Sequence, residues 1–174
     1  MPNKERDIEY LPHGEALEFK ASRIRELMTG AWQKAPGFLA RLDDAGLAAE
    51  EFQTPEDIRK FPVLNKSDLP GIQSGSPPFG GMITVSPGSL RRIYSSPGPI
   101  YDPDGHLPSY YRWERSFAAC GFKEGDIVLN CFSYHLTPAG AMFEEGANNI
   151  GCAVIPAGIG NSEIQVQVAA YLKA

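Results

Sequence analysis

The sequence has 174 residues, of which 43% are hydrophobic and 21% charged, a composition typical of one soluble globular domain with an appended segment. Its net charge of −5, without a long basic run, excludes the phosphate-binding surface that a nucleic-acid partner requires. The first nine residues are charged rather than apolar, and no apolar stretch is long enough to cross a bilayer, so we expect a cytoplasmic protein without a membrane partner.

The first part of the chain is predicted to be helical. Apolar residues recur at three- and four-residue spacing between residues 14 and 34, which is the pattern of one helix face. A second helix is predicted to end at Gly46, and Thr54 and Asn65 are typical helix N-caps. We therefore assign residues 1–70 to a helical N-terminal segment. The apolar positions of the first helix include Leu17, Ala21, Ile24 and Met28.

Residues 71–90 are rich in Gly, Pro and Ser and are predicted to form a loop. In residues 91–174, strand patterns alternate with helix patterns, which predicts a mainly parallel sheet with helices on its faces. The predicted fold class is α/β. The last helix is still amphipathic where the sequence stops, so we expect part of a longer protein with an exposed apolar surface. The alternative is a natural terminus on a docked helix. The expected strands are 92–96, 127–132 and 152–156, and the expected helices are 109–120, 138–151 and one that Asn161–Ser162 caps.

Three cysteines, Cys120, Cys131 and Cys152, are too widely spaced for a metal or redox motif and are odd in number. We expect them to be small buried apolar residues. A catalytic cysteine would need a base, and only His135 lies near one of them in sequence. We assign no catalytic residue and no metal site.

Several blocks along nearly the whole chain resemble, in order and spacing, the phenylacetate-CoA ligase family of adenylate-forming enzymes. The resemblance implies part of the N-terminal domain of that fold. The blocks are Ala35–Phe38, Leu42–Leu47, Phe61–Leu69, Cys120–Val128, Gly151–Gly158 and Gly160–Gln165.

The resemblance also implies a reaction. Members of this family activate a carboxylic acid with ATP as an acyl-adenylate, release pyrophosphate and pass the acyl group to coenzyme A, so ATP, Mg²⁺ and coenzyme A are implied for the longer ligases. Such ligases are more than twice as long as this sequence and carry their catalytic lysine in a later domain. The chain alone is therefore expected to be inactive and to hold no cofactor. A small carboxylic acid, aromatic acids included, is the implied ligand, and a homodimer is implied as well.

One motif departs from the family pattern. The family's phosphate loop reads close to Ser-Ser-Gly-Thr-Thr-Gly, whereas this chain has Ser95-Ser96-Pro97-Gly98-Pro99, so the matching positions are Ser95, Ser96 and Gly98. Proline has no N–H to donate to a phosphate, and Asp102 and Asp104 add negative charge nearby. We expect a poor ATP cradle. The run Asp102–Gly105 is predicted to be a tight turn, in preference to a magnesium site.

The acyl pocket implied by the resemblance follows the predicted strand at 127–132. Phe132, Tyr134 and His135 lie there, and Ala157 and Gly158 follow the next strand. The end of a parallel strand is where open sheets bind ligands. Tyr134 would pack against an aryl acid and offer its hydroxyl to the carboxylate. The alternative is that Phe132 and Tyr134 fill an interface with further polypeptide, and that His135 is structural.

Two other functional hypotheses stay open. The altered phosphate loop favours a degenerate relative that has lost adenylation and acts as a binding or regulatory module. A flavodoxin-like α/β domain with an unrelated ligand is disfavoured, because such sheets usually begin with a strand rather than with helices.

Overall fold

The computed structural model describes residue 8 and residues 10–174, so most of the charged N-terminal stretch analysed above lies outside the described residues. The chain divides into two compact units, Met1–Ser89 and Leu90–Ala174.

The first unit is helical in its described part, with no strand among those residues, as the sequence predicts. The first helix ends in a π-helical turn, Leu27–Ala31, and a 3₁₀ turn, Trp32–Lys34. Pro36 then begins the second helix, because proline fits the first helical turn at no cost in hydrogen bonds. The helices are α1 (His13–Glu26), α2 (Pro36–Asp44) and α3 (Leu69–Gly75), and further 3₁₀ turns span Ala49–Glu51, Pro55–Lys60, Lys66–Asp68 and Pro87–Ser89.

The core of the first unit consists of Met28, Leu42 and Phe52, which are 1%, 3% and 0% exposed. Trp32 stacks on Phe38 with ring centroids 4.8 Å apart and closes one side of this core. The predicted apolar face of α1 is only partly buried, since Leu17 is 36% exposed.

The helix start predicted at Thr54 is confirmed, although the element that follows is a 3₁₀ helix. The Asp57 carboxylate accepts hydrogen bonds from the Thr54 backbone N–H at 2.7 Å and from the Thr54 hydroxyl at 2.8 Å. Lys60 contacts the same carboxylate at 2.8 Å. The hydrogen bond from Lys60, followed by those from Thr54, holds the pKa of Asp57 well below its usual range.

The second unit contains all the described strands, and the predicted α/β class with a helical first part is confirmed. Strands β3 and β4 pair in parallel, with Ile127 opposite Ala153. The first two strands form a separate antiparallel hairpin rather than joining the parallel pair. The strands are β1 (Arg92–Ser96), β2 (Ile100–Asp104), β3 (Ile127–Leu129) and β4 (Ala153–Ile155), and the helices are α4 (Trp113–Ala119), α5 (Ala139–Asn149) and α6 (Ser162–Leu172).

The tight turn predicted at Asp102–Gly105 was wrong, because Asp102 to Asp104 belong to β2. The chain reverses instead at Pro97–Pro99, where Gly98 has a φ of 125°. Two prolines around a glycine cannot continue the ladder of backbone hydrogen bonds, so the hairpin turns there. The division into residues 1–70, 71–90 and 91–174 stays a proposal. Helix α3 begins in the first of these stretches and ends in the second.

Helix α6 begins at Ser162 as predicted, but Asn161 takes a left-handed conformation and its side chain makes no capping hydrogen bond. The helix exposes apolar side chains around its surface: Ile164 is 57%, Val166 68% and Tyr171 87% exposed. The cysteines are free thiols. Only Cys152 is buried, so the prediction of three buried cysteines was wrong for Cys120 and Cys131.

The core of the second unit lies between α4, α5 and the parallel strands, around Phe117, Ala147 and Ile150. Gly146 allows the close approach of the two helices. A Cβ atom at this position would lie 2.6 Å from the Cβ of Trp113 and 3.1 Å from the Phe117 ring. Both contacts are too short, so only glycine fits without displacing a helix.

We expect Gly146→Ala to lower the free energy of unfolding of the second unit by about 1–3 kcal/mol through overpacking. The chain has two tryptophans, and Trp113 lies in this unit, so its fluorescence in a Trp32→Phe background reports on this unit alone in urea denaturation. Gly14→Ala is the matched control, since nothing lies within 4 Å of the added Cβ. An unchanged midpoint for Gly146→Ala would contradict the packing described here.

Candidate functional site

The turn of the β1–β2 hairpin carries the three positions assigned to the phosphate loop. Ser95 and Ser96 are the last two residues of β1, and Gly98 lies in the turn. The Ser95 N–H donates to the Leu136 carbonyl at 2.7 Å, and the Ser96 hydroxyl donates to the Asp102 carboxylate. Both groups are therefore already bonded, and Gly98 is the one residue of the turn with an N–H.

A buried carboxylate lies at the other end of the hairpin. Asp104 is 0% exposed and accepts two hydrogen bonds from Arg91, at 2.9 Å and 3.2 Å, in a bidentate arrangement. Arg92 contacts the same carboxylate at 3.1 Å. The expectation that Asp104 adds charge against a polyphosphate is therefore wrong, because two guanidinium groups neutralise it inside the protein.

This ion cluster extends to α5. Arg91 donates to Glu145 at 2.5 Å, and the backbone N–H of Tyr110 donates to the same carboxylate at 3.2 Å. The hydrogen bond to Glu145, followed by the interaction with Asp104, raises the pKa of Arg91 above its usual value. The hairpin is thus attached to α5 by an ion-pair network whose central carboxylate is buried.

Asn130 connects the loops that follow the parallel strands. It comes directly after β3 and is 4% exposed. Its backbone bridges to the strand-to-helix connection after β4: its N–H donates to the Ile155 carbonyl at 2.9 Å, and its carbonyl accepts from the Gly158 N–H at 3.0 Å. Its side chain accepts from the Phe132 N–H at 3.1 Å and donates to the Tyr134 hydroxyl and to the Gly140 carbonyl, each at 2.8 Å.

The Tyr134 ring lies directly on the first turn of α5. A Cβ atom on Gly140 would approach this ring to 2.7 Å, so the glycine leaves room for the aromatic face. Burial, followed by a hydrogen bond with Glu144, raises the pKa of the Tyr134 phenol above its usual value. Both effects favour the neutral phenol over the phenolate.

An apolar pocket of about 460 Å³ lies between α4, the end of β3 and α5. Phe132 stacks on Phe143 there, with ring centroids 4.2 Å apart and planes inclined by 6°. The exposed thiols of Cys120 and Cys131 line the same pocket. Its lining also includes Trp113, Phe117 and Phe122.

The structure brings some of the predicted site residues together and separates others. Tyr134 and Gly158 meet at Asn130, and the bond from Ser95 to Leu136 attaches the hairpin to the same loop. Phe132 turns into the apolar pocket, whose lining does not include Tyr134, Ala157 or Gly158. His135 is exposed, and its backbone N–H donates to the Ser133 hydroxyl at 3.2 Å.

Sequence reasoning missed the residues that hold the site together, namely Asn130, Glu144, Arg91 and Glu145. One signal was available. A polar residue directly after the apolar strand Ile127–Leu129 is a typical ligand or positioning residue at the end of a parallel strand. Nothing in the local pattern distinguishes Glu145 from an exposed helix residue, because its partner Arg91 lies 54 positions away.

Comparison with known proteins agrees with the resemblance. No protein-family profile matches the chain. Curated phenylacetate-coenzyme A ligases from Thermus thermophilus and Escherichia coli are each 27% identical to it, over 93% and 92% of its length. A ligase of the same name from Pseudomonas putida is 29% identical over 87% of the chain. The chain spans little more than a third of these relatives, 35% to 37% of their length.

Solved structures of a 2-hydroxyisobutyryl-CoA ligase share the fold. One, in complex with 2-HIB-AMP, matches 93% of the chain with a TM-score of 0.76 at 22% identity and is itself covered to 35%. Another, with 2-HIB-AMP and CoA, matches 99% of the chain with a TM-score of 0.77 at 21% identity and is covered to 39%.

The fold is that of one part of an adenylate-forming ligase. More closely, the chain is similar to the N-terminal portion of phenylacetate-CoA ligases. Within the described residues, none of the helices combines the length and the apolar character needed to cross a bilayer.

The ATP and Mg²⁺ that the family resemblance implies would find few donors at the hairpin turn. Two of the three turn residues are prolines, and the Ser95 N–H and the Ser96 hydroxyl already have partners. Within the described part of the chain, no cluster of three His, Cys, Asp or Glu side chains is arranged to hold a metal ion. The turn itself therefore offers a phosphate little beyond the Gly98 N–H.

We expect Asp104→Ala to lower the free energy of unfolding of the second unit by about 3 kcal/mol, because two guanidinium groups lose a buried counter-charge. This loss is at the lower end of the range for breaking a buried ion pair, because the Arg92 side chain is 48% exposed. Trp113 fluorescence in the Trp32→Phe background measures the loss. The exposed Glu163 provides the control: Glu163→Ala should change the free energy by no more than about 0.5 kcal/mol. Equal effects of the two substitutions would refute the role of the network.

Proposed function

We propose that this chain supplies the acid-binding part of an acid-CoA ligase-like protein. The observation that carries the proposal is the cluster of Asn130, Tyr134 and Gly158 at the carboxyl ends of the parallel strands β3 and β4. Open parallel sheets bind their ligands at this edge. The similarity to phenylacetate-CoA ligases along most of the chain supports the same assignment.

The proposed ligand is a small carboxylic acid, and aromatic acids are included. Relatives are named for phenylacetate, and structural neighbours for 2-hydroxyisobutyrate, so both acids are reasonable probes. The Tyr134 ring offers a face against which an acyl group can pack, and its protonated hydroxyl offers a donor. We assign the small residues Ala157 and Gly158 to the proposed pocket, and Phe132 and His135 to its margin.

ATP, Mg²⁺ and coenzyme A belong to the reaction of the longer ligases, in which the acid is adenylated and then passed to a thiol. We propose the same overall reaction for a protein that contains this chain together with the remaining ligase portions. A cytoplasmic location and a homodimer belong to this proposal, and the exposed apolar surface of α6 supports an intermolecular contact.

A second candidate is a non-catalytic binding module. The hairpin turn favours it, because Pro97 and Pro99 have no N–H to donate and the Ser96 hydroxyl already donates to the Asp102 carboxylate. Both candidates bind an acid at Tyr134. They differ in whether ATP binds to a protein that contains this chain together with the remaining ligase portions.

We expect phenylacetate and 2-hydroxyisobutyrate to perturb the NMR resonances of Asn130, Tyr134 and Gly158 at millimolar concentration. Tyr134→Phe should weaken binding about tenfold through loss of a charge-assisted hydrogen bond. Tyr171→Phe is the control, since this side chain is 87% exposed on α6. Perturbations confined to other residues would exclude the proposed acid site.

We expect calorimetry to detect no ATP binding to the chain at millimolar nucleotide. Each charge-assisted hydrogen bond missing at Pro97 and Pro99 should cost about 1.5–3 kcal/mol, which together weaken binding by about two to four orders of magnitude. The double substitution Pro97→Gly and Pro99→Thr should improve binding of ATP or pyrophosphate, whereas Pro108→Gly, at an exposed loop position, should not. Clear ATP binding by the unsubstituted chain would argue against the binding-module candidate.

A further inference from the structure

The direction of the hydrogen bonds around Asn130 can be assigned from its partners. One side-chain atom lies 2.8 Å from the Gly140 carbonyl oxygen, which can only accept. The other lies 3.1 Å from the Phe132 N–H, which can only donate. The amide nitrogen must therefore face Gly140, and the amide oxygen must face Phe132.

This orientation determines the role of Tyr134. The Asn130 nitrogen that faces Gly140 also lies 2.8 Å from the Tyr134 hydroxyl oxygen, so it donates its second hydrogen there. The hydroxyl oxygen thus accepts from Asn130, and the hydroxyl hydrogen is left to point at another acceptor.

Glu144 is placed to be that acceptor. Gly140 and Glu144 lie four residues apart on α5 and hence on one face of the helix. The Tyr134 ring rests on Gly140, and Glu144 is half-buried on the next turn of this face. The hydrogen bond with Glu144 contributes to the raised pKa of the Tyr134 phenol.

We propose that Asn130 is a positioning residue that commits Tyr134 to donate its hydroxyl hydrogen, and that Glu144 competes with a bound acid for that hydrogen. The inference rests on the proposed function in one respect only, namely that the acid binds at Tyr134. The Glu144 carboxylate repels the carboxylate of the ligand at the same hydroxyl, so Glu144 limits affinity for simple acids and favours ligands that bring a donor of their own.

The hydrogen-bond assignment is tested without ligand by titrating the Tyr134 phenol in protein labelled with ¹³Cζ-tyrosine, with Tyr134→Phe to identify the resonance. Glu144→Gln should lower the phenol pKa, because it removes a negative charge beside the phenolate. Adding Asn130→Ala to Glu144→Gln should raise the pKa again by about one unit, because the donor to the phenolate is lost. Should Asn130→Ala fail to fold, Asn130→Leu removes the donor at similar volume without adding a charge and should shift the pKa in the same direction.

Asn149→Ala, at an exposed position at the end of α5, is the control and should leave the pKa unchanged. If Asn130 had a purely structural role, its substitution would lower the free energy of unfolding but would not produce this order of Tyr134 pKa values. If neither Asn130 variant raises the phenol pKa in the Glu144→Gln background, the positioning role is wrong.

The competition is tested separately with phenylacetate as the probe. Glu144→Gln should tighten its binding about tenfold, as expected from removal of one competing carboxylate. Unchanged or weaker binding would overturn the role of Glu144. If phenylacetate binds neither protein while the phenol pKa values follow the expected order, the proposed acid site fails and the assignment of Asn130 stands.

Discussion

A fully buried carboxylate is the constraint on which the second unit depends. Asp104 has no access to water, so its charge must be balanced by protein groups, and Arg91 and Arg92 provide that balance. The register of the hairpin follows, with Arg92 opposite Asp104. Because Arg91 also reaches Glu145, the same ion cluster fixes the hairpin to α5. The turn at Pro97–Pro99 therefore belongs to a hairpin that is attached to α5 at its other end.

Helix α5 contacts both parts of the candidate site, namely the β1–β2 hairpin and the loop that carries Tyr134. Glu145 on this helix forms an ion pair with Arg91, and Gly140 in its first turn contacts the Tyr134 ring. Asn130 adds the third connection, from the end of β3 to the loops on either side. Buried polar groups with every partner satisfied hold one geometry, because any other arrangement would leave a donor or acceptor unpaired at low dielectric. The loops after β3 and β4 are thus positioned by polar contacts, while the aromatic core between α4 and α5 supplies the stability.

The chain combines a ligase-like fold with an altered loop. Its backbone superimposes on about a third of a CoA ligase, and most of its length aligns with phenylacetate-CoA ligases. At the hairpin turn, however, Pro97 and Pro99 have no N–H to donate, and the Ser95 N–H and the Ser96 hydroxyl bond within the protein. The loops after β3 and β4 keep an aromatic hydroxyl and small residues around a buried amide. This contrast supports a function in acid binding more directly than one in phosphate transfer.

The sequence by itself determined the helical first part, the parallel pair of strands and the resemblance to a ligase, because periodicity, caps and motif order are local or collinear properties. It also located Tyr134 and Gly158 at strand ends. The tertiary structure alone decided that Asp104 is neutralised rather than presented to a ligand, that Phe132 stacks on Phe143 in the apolar pocket, and that Cys120 and Cys131 are exposed. These outcomes depend on partners far away in sequence, such as Glu145 for Arg91, and on glycine positions where a Cβ would clash. A local pattern carries no information about such contacts, because they arise only when separate elements pack together.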